Sequence, residues 1–220
     1  MQKCARSWVL KLSSKTKILS ITPDKKNLFK VTTSLGINFT VPREVLLKKP
    51  LIEGSELSKS EIDELRSSKE YFKVRSIALG FLDYKMRSKK ELEFKLLKKG
   101  INKKTISKVI EEIEQKGWID DEKFCLAFSR DQINRNKIGP IALKYKLKEH
   151  LDSLSLIEEM LDKIYSKLNI ENIIMKVLVK YPPEKIKKEE TLKRKIINRL
   201  KRKGHYWQDI DEVLNKYLNS

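Results

Sequence analysis

The chain has 220 residues, of which 40% are apolar and 36% charged, and its formal net charge is +19 at pH 7. Few glycines and prolines argue against a disordered chain, and two cysteines with two histidines are too few soft ligands for a zinc site. Since no stretch has the apolar length of a signal peptide or a membrane span, we expect a soluble, cytoplasmic protein with reduced thiols, whose surface attracts polyanions such as nucleic acid.

A small β-rich motif is predicted near the N-terminus. The runs "KILSIT", "NLFKVTT" and "INFTV" lie within residues 17–41, are rich in β-branched residues and are separated by turn residues. They predict a three-stranded meander. The following "PREVLLKK" and a long stretch with apolar residues at helical spacing predict helices, with Ser58 or Ser60 as the N-cap of the second. From about residue 70 onward we expect helices only.

The helical part contains three similar copies of one pattern. "RSKKELEFKLLKKGINKKTISKVIEEI", from Arg87, aligns with "IGPIALKYKLKEHLDSLSLIEEMLDKI" at a shift of 51, and with "LKRKIINRLKRKGHYWQDIDEVLNKYL" at a shift of 104. Each copy predicts a first helix, a turn, and a second helix with one apolar stripe. Because such a pair cannot bury its stripe alone, we predict that each copy closes with an extra helix into a three-helix unit, in a row.

The turn between the two helices of a copy differs along the chain. Gly100 and Gly204 stand where the first helix ends, and glycine favours the left-handed conformation that closes a helix. Leu151 stands at the corresponding place of the second copy, so that turn must have another conformation.

The fold class that follows is mostly α, with three tandem three-helix repeats and the N-terminal three-stranded motif. The predicted divisions are a β-rich motif with a linker helix at 1–60, then repeats at 61–128, 129–168 and 169–220.

The positive charge is concentrated on the first helix of each copy. Residues 85–104, 130–148 and 183–203 carry net charges of +7, +5 and +7, which together equal the surplus of the whole chain. A single Lys-rich helix is ordinarily a solvated face. Three such helices at the same place in three copies indicate a long, repetitive, acidic partner.

Two adjacent carboxylates, Asp120 and Asp121 in "KGWIDDEKF", are candidates for a metal or acid–base site. Both uses need more converging ligands than the neighbouring residues supply. We therefore interpret the segment as a joint: Gly117 ends one helix, Trp118 and Ile119 enter the core, and one aspartate caps the next helix while its dipole favours the other.

The same segment carries a resemblance. "KGWIDDEKFCLAF" followed by "RNKIGPIALKYKLKEH", and preceded by "SKKELEFKLLKKGI", resembles the RecX family of bacterial regulators of the RecA recombinase. The similarity covers about residues 70–220, and the meander is similar to the N-terminal extension of some members. The structural joint of this pattern comprises Gly117, Trp118, Asp120, Asp121, Phe124, Gly139 and Pro140. Leu151 in place of the usual glycine and the aromatic "HYWQDI" depart from the family pattern.

The resemblance implies an elongated, curved row of repeats that lies in the helical groove of the RecA–DNA filament and damps ATP hydrolysis and strand exchange. It implies RecA and single- and double-stranded DNA as partners, a monomer, and no catalytic residue, metal or cofactor. The expected electrostatic contact set lies on the three first helices: Lys89, Lys90, Lys95, Lys98, Lys99, Lys144, Lys146, Lys148, Lys193, Arg194, Lys195, Arg199, Lys201, Arg202 and Lys203. Helical spacing scatters these cations over more than one face.

Two other functions are compatible with the sequence. A DNA-binding protein that acts without RecA, general or sequence-specific, would suit the charge, although lysine reads base sequence poorly. A nucleic-acid enzyme would need a carboxylate cluster or a histidine base. We expect His150 and His205 instead to end helices, as cations favoured by the helix dipole.

Tyr206 and Trp207 are candidates for stacking on bases, with core packing favoured for Trp207. Cys125 is expected to be a small buried residue.

Overall fold

A computed structural model describes residues 15–24 and 27–219, so that Cys4 lies outside the described residues. The chain divides into two compact units. Among the described residues, the first unit comprises those up to Phe81 together with Leu96–Val109, and the second comprises Leu82–Lys95 and those from Ile110 on. The elements before the repeats are β1 Thr16–Pro23, β2 Leu28–Thr33, β3 Asn38–Pro42, α1 Arg43–Lys48, β4 Glu56–Leu57 and α2 Lys59–Tyr84.

The N-terminal strands form an antiparallel sheet in the order β3-β2-β1-β4. The three predicted strands are confirmed, and side chains such as Ile18, Val31 and Val41 form its buried face. The prediction of only three strands is wrong, because β4 pairs with the start of β1 through Thr16 and Leu57. Two residues are too few to show an alternating pattern, and their pairing is set by the distant strand they meet.

The long helix α2 begins with a capping box. The Ser58 hydroxyl accepts the Glu61 backbone N–H at 3.3 Å, and the Glu61 carboxylate accepts the Ser58 N–H at 2.9 Å. Leu57 and Ile62, which flank the cap, are both buried in the core of the sheet. The prediction of Ser58 as the N-cap is confirmed, and Ser60 lies within the helix. Cap and apolar contact together fix where the sheet passes into the helix.

The helical part contains nine further helices between residues 89 and 219, all of which the structure describes, and no strand. They are α3 Lys89–Leu97, α4 Lys103–Gln115, α5 Asp121–Asn136, α6 Pro140–His150, α7 Leu154–Tyr165, α8 Ile170–Leu178, α9 Pro183–Lys188, α10 Glu190–Arg202 and α11 Trp207–Asn219. The first helices of the three copies are α3, α6 and α10, and the second helices are α4, α7 and α11. The predicted succession of helices is confirmed.

Equivalent apolar positions of the three copies are buried, as the repeat predicts. On the first helices these are Leu92 and Leu96, Leu143 and Leu147, and Ile196 and Leu200. The core of the second copy takes residues from α5, α6 and α7, and that of the third takes residues from α8 to α11. One extra helix, α5, therefore precedes the helix pair of the second copy, and two, α8 and the short α9, precede that of the third. The predicted divisions at 128/129 and 168/169 stay predictions.

The turns after the first helices follow the glycine pattern. Gly100 and Gly204 have φ of +73° and +81°, in the left-handed region, whereas Leu151 is extended with φ of −126°. Both expectations about these turns are therefore confirmed.

The joint between α4 and α5 confirms the capping interpretation. The Asp120 carboxylate accepts the Lys123 backbone N–H at 2.9 Å, and this hydrogen bond lowers the pKa of Asp120. Ile119 is buried as predicted, but the prediction for Trp118 is wrong, since its side chain is 47% exposed. The Lys116 ammonium lies 4.9 Å from the Trp118 ring centroid, so the ring lies at the surface against a cation.

Removing the cap should destabilise α5. Asp120→Ala is expected to lower the free energy of unfolding by roughly 1 kcal/mol, because one N-terminal N–H loses its acceptor. Urea unfolding followed by helical circular dichroism measures the change. Asp120→Asn retains a capping oxygen and should lose much less; equal losses in the two variants would contradict a capping role.

Candidate nucleic-acid interface

A repeated joint connects the first helices of successive copies within the second unit. Ser88 and Gly139 are equivalent in the alignment, as are His150 and Lys203. The Ser88 hydroxyl donates to the His150 carbonyl at 2.6 Å, and the Gly139 N–H donates to the Lys203 carbonyl at 2.7 Å. The C-terminal end of α6 thus lies at the N-terminal end of α3, and the C-terminal end of α10 lies at the N-terminal end of α6. In this arrangement the helix dipoles attract each other.

Side chains reinforce the joint between α6 and α3. His150 Nδ1 lies 2.8 Å from the Glu91 carboxylate, and its ring packs on Phe128 at a centroid distance of 4.7 Å. The Lys90 ammonium donates to the Lys148 carbonyl at 3.0 Å. His150 does end its helix, as expected, but it contributes a contact between copies besides any effect of the helix dipole.

The joint between α10 and α6 is a direct contact of backbones. Ile141 N–H donates to the Gly204 carbonyl at 3.1 Å. A Cβ atom on Gly139 would lie 2.4 Å from the Gly204 oxygen, and one on Gly204 would lie 2.2 Å from the Ala142 nitrogen. Only residues without a side chain permit this approach, which fixes the two basic helices relative to each other.

His205 is buried beside this contact. Its Nε2 lies 3.0 Å from the Lys137 carbonyl, which only an N–H can satisfy, so Nε2 is the donor. Nδ1 is buried without a hydrogen-bond partner among the described residues, and burial lowers the pKa of the ring. The expectation of a cationic His205 is therefore wrong, because a second ring N–H would be buried without an acceptor.

Several cations of the predicted contact set are ion-paired within the second unit. Lys89 pairs with Glu114 at 2.6 Å, Lys90 with Asp152 at 3.1 Å, Lys144 with Glu158 at 2.8 Å and Arg194 with Glu190 at 3.5 Å. All four pairs are at least partly exposed, where such pairs contribute little to stability. These side chains remain able to exchange partners, but an acidic ligand gains less from each.

The exposed face of α10 carries a basic hollow. A hollow of about 490 Å³ is lined by Lys195, Asn198, Lys201 and Arg202, without a carboxylate. Positive potential therefore adds up at this place instead of being cancelled locally.

A second group of cations surrounds Lys203, and we call it the Lys203 cluster. It consists of Lys137, Lys180, Arg199 and Lys203. Burial, and then repulsion by the other three cations, lowers the pKa of Lys203. Lys137 and Lys180 were missed by the sequence reasoning, because tertiary contacts between distant helices bring them near Lys203. A cluster of like charges is the arrangement that an anion would stabilise.

The other cations of the predicted set lie at varied places. Lys95, Lys146 and Arg199 occupy equivalent positions of the three first helices, and Arg199 donates to the Tyr181 hydroxyl at 3.0 Å. Lys146 and Lys193 are half-buried, Lys148 is exposed, and Lys98 and Lys99 are exposed in the first unit. Of the predicted set, Lys195, Lys201 and Arg202 share one hollow.

Aromatic side chains accompany the cations. Tyr145 is 67% exposed and Tyr206 is 49% exposed, and both line one groove with Lys144 and Lys148. Trp207 is 50% exposed, with the Lys201 ammonium 4.6 Å from its ring centroid. The interpretation of Trp207 as a core residue is wrong, because it is the first residue of α11 and the buried stripe starts at Ile210.

Within residues 15–24 and 27–219, no group of three or more potential ligands from His, Cys, Asp and Glu could hold a metal ion. Over the same residues, no helix is long and apolar enough to cross a membrane.

The two carboxylates of the Asp120–Asp121 pair bind the starts of different helices. Asp120 caps α5, and Asp121 accepts the backbone N–H of Lys89, the first residue of α3, at 2.8 Å.

Residues 75–112 match the family model described as the first three-helix domain of RecX. The chain is 30% identical over 210 residues to the regulatory protein RecX of Clostridium tetani, covering 93% of this chain and 95% of that protein. It is 28% identical to the RecX of Streptococcus thermophilus over 87% of this chain and 74% of that protein.

Solved structures support the same fold. A crystal structure of a regulatory protein RecX superposes with a TM-score of 0.76 at 20% identity, over 91% of this chain and 99% of that chain. The structure of RecX from Lactobacillus salivarius gives a TM-score of 0.58 at 23% identity, over 69% of this chain and 97% of that chain.

Proposed function

Because the chain belongs to the RecX family, we propose that it is a regulatory protein that binds the RecA–DNA filament along its helical groove. Binding there inhibits RecA ATP hydrolysis and strand exchange during recombination and DNA repair. In this role the chain catalyses no reaction. Its partners are the RecA filament and the DNA within it.

The observation that carries this proposal is the repeated joint between basic helices. α3, α6 and α10 are connected end to start by hydrogen bonds at equivalent positions, from the Ser88 hydroxyl to the His150 carbonyl and from the Gly139 N–H to the Lys203 carbonyl. A filament repeats its own surface and carries DNA phosphates, so a binder gains from cations presented at repeated places. The α10 hollow and the Lys203 cluster supply cations whose charge is not locally neutralised.

Single-stranded-DNA-dependent ATP hydrolysis by RecA of the same organism tests the proposal, with this protein titrated in at fixed physiological salt. We expect hydrolysis to fall when the protein is at or below the concentration of RecA, because one bound chain contacts several filament positions. Unchanged hydrolysis together with tight binding to bare DNA would contradict the proposal and favour a DNA-binding protein that acts without RecA.

A further inference from the structure

The groove between α6 and α7 differs in character from the α10 hollow and the Lys203 cluster. Its volume is about 570 Å³, and it lies wholly within the second unit. Tyr145 and Tyr206 line it with both aromatic rings partly exposed. Pro140, Ile141, Leu161 and Ile170 supply apolar walls. Tyr206 comes from the segment after α10, so the second and third copies build this groove together.

The charges in the groove are balanced. Lys144 is paired with Glu158 at 2.8 Å, and Lys148 and Asp162 also line the walls. Tyr165, at the base, donates its hydroxyl to the Ile138 carbonyl at 3.1 Å, and burial raises the pKa of this phenol. The groove is therefore aromatic and close to neutral, whereas cations without a carboxylate among them line the α10 hollow and form the Lys203 cluster.

A single-stranded nucleic acid has the matching distribution of properties. Its bases are flat and uncharged, its phosphates are negative, and proteins bind such strands by stacking bases on aromatic rings beside basic surfaces. In duplex DNA the bases are stacked on one another and unavailable to a groove of this kind. The combination of a neutral aromatic groove, with Lys148 at its wall, and cationic surfaces in the same unit therefore favours an unpaired strand over a duplex.

We propose that the Tyr145–Tyr206 groove binds unpaired nucleotides by stacking, while neighbouring cations hold the phosphates. This inference rests on the proposed function, since it identifies the part of the filament DNA that the chain contacts directly. Lys148, whose ammonium lies 5.7 Å from the Tyr145 ring centroid, is the cation placed to meet a phosphate next to a stacked base.

The test uses the full chain without RecA. A labelled oligonucleotide of about 16 nucleotides is compared with one of equal length in which the bases are replaced by abasic sites. Both carry the same phosphates, so a difference in affinity measures contacts with bases. We expect the unaltered protein to bind the abasic strand roughly tenfold more weakly, within the range of base stacking on one aromatic ring.

The double variant Tyr145→Ala, Tyr206→Ala should bind both strands equally, at the affinity of the abasic strand. Tyr145→Phe with Tyr206→Phe should keep the preference, because the rings remain. Tyr84→Ala is the matched control, since Tyr84 is 85% exposed and lies outside the groove.

Three results would overturn the inference: no measurable binding of the base-containing strand, no preference in the unaltered protein, or a preference that survives the double alanine variant. If such a result came with intact inhibition of RecA, the groove assignment alone would be wrong. Preserved base discrimination without any effect on RecA would instead contradict the proposed function and leave the stacking site standing.

Discussion

Reversing the charges of the α10 hollow, with Lys195, Lys201 and Arg202 changed to Glu, is expected to remove most of the effect on RecA ATP hydrolysis at physiological salt. These side chains line a surface without carboxylates, so each contributes positive potential that no neighbour cancels. Binding to nucleic acid gains from the release of counterions, and its dependence on salt reflects the number of cations that meet phosphates. Losing three such contacts should lower affinity at least tenfold and reduce the salt slope by roughly 3.

A control with the same change in net charge separates this site from general attraction. Lys59, Lys108 and Lys176 are exposed and lie outside the predicted contact set, so their joint reversal to Glu alters total charge equally. We expect this control to lose only a small part of its inhibition of RecA. Equal losses in the two triple variants would mean that net charge alone governs binding, and the assignment of the α10 surface would then fail.

The ion-paired members of the predicted set should matter less. Reversal of Lys89 or Lys144 also removes a cation, but it releases Glu114 or Glu158 from an existing pair. An acidic partner that approaches these lysines must compete with the carboxylates already present. The sequence gives no reason to distinguish these cations, whereas the structure predicts that the α10 cations contribute more to binding than the ion-paired lysines do.

Features encoded within a few neighbouring residues were predictable from the sequence. The apolar stripes follow helical spacing, the Asp120 cap follows from a carboxylate at the start of a helix, and the alignment of the copies located Gly100 and Gly204 at helix ends. Each depends on local backbone geometry, which residue type and spacing largely determine.

Features that depend on packing between distant segments were missed or misjudged. The Lys203 cluster requires the segment after α8 to approach α10, and no spacing in the sequence encodes that approach. Trp118 and Trp207 are large and apolar, so hydrophobicity predicts burial, but each packs against a lysine at the surface. His205 looks like a dipole-stabilised cation in sequence, and its burial became evident only with its neighbours.

Adding one methyl group at Gly204 is expected to be among the most destabilising single changes in the second unit. Gly204 has φ of +81°, and a new Cβ would lie 2.2 Å from the Ala142 nitrogen and 2.8 Å from its Cα. Both backbone strain and a clash with main-chain atoms follow, and no side-chain rotation relieves either. Gly204→Ala should therefore lower the free energy of unfolding by about 3 kcal/mol or more, measured by urea unfolding followed by circular dichroism.

Two other glycines provide control variants that separate backbone strain from the steric clash. Gly100 lies at the equivalent helix end with φ of +73°, but a Cβ there would have open space around it. Gly100→Ala should therefore lower the free energy of unfolding only through backbone strain, by about 1 kcal/mol. Gly139→Ala has ordinary extended backbone, with a Cβ 2.4 Å from the Gly204 oxygen, and tests the clash alone.

Inhibition of RecA should be weakened by the clash between α10 and α6, and not by backbone strain at the glycine. Gly139→Ala and Gly204→Ala both push α10 away from α6, so their inhibition of RecA should weaken under conditions where the proteins stay folded, while Gly100→Ala should inhibit normally. Equal destabilisation by Gly100→Ala and Gly204→Ala would show that the close backbone contact contributes nothing. Unchanged inhibition by folded Gly139→Ala would show that a fixed placement of the two basic helices is unnecessary for binding the filament.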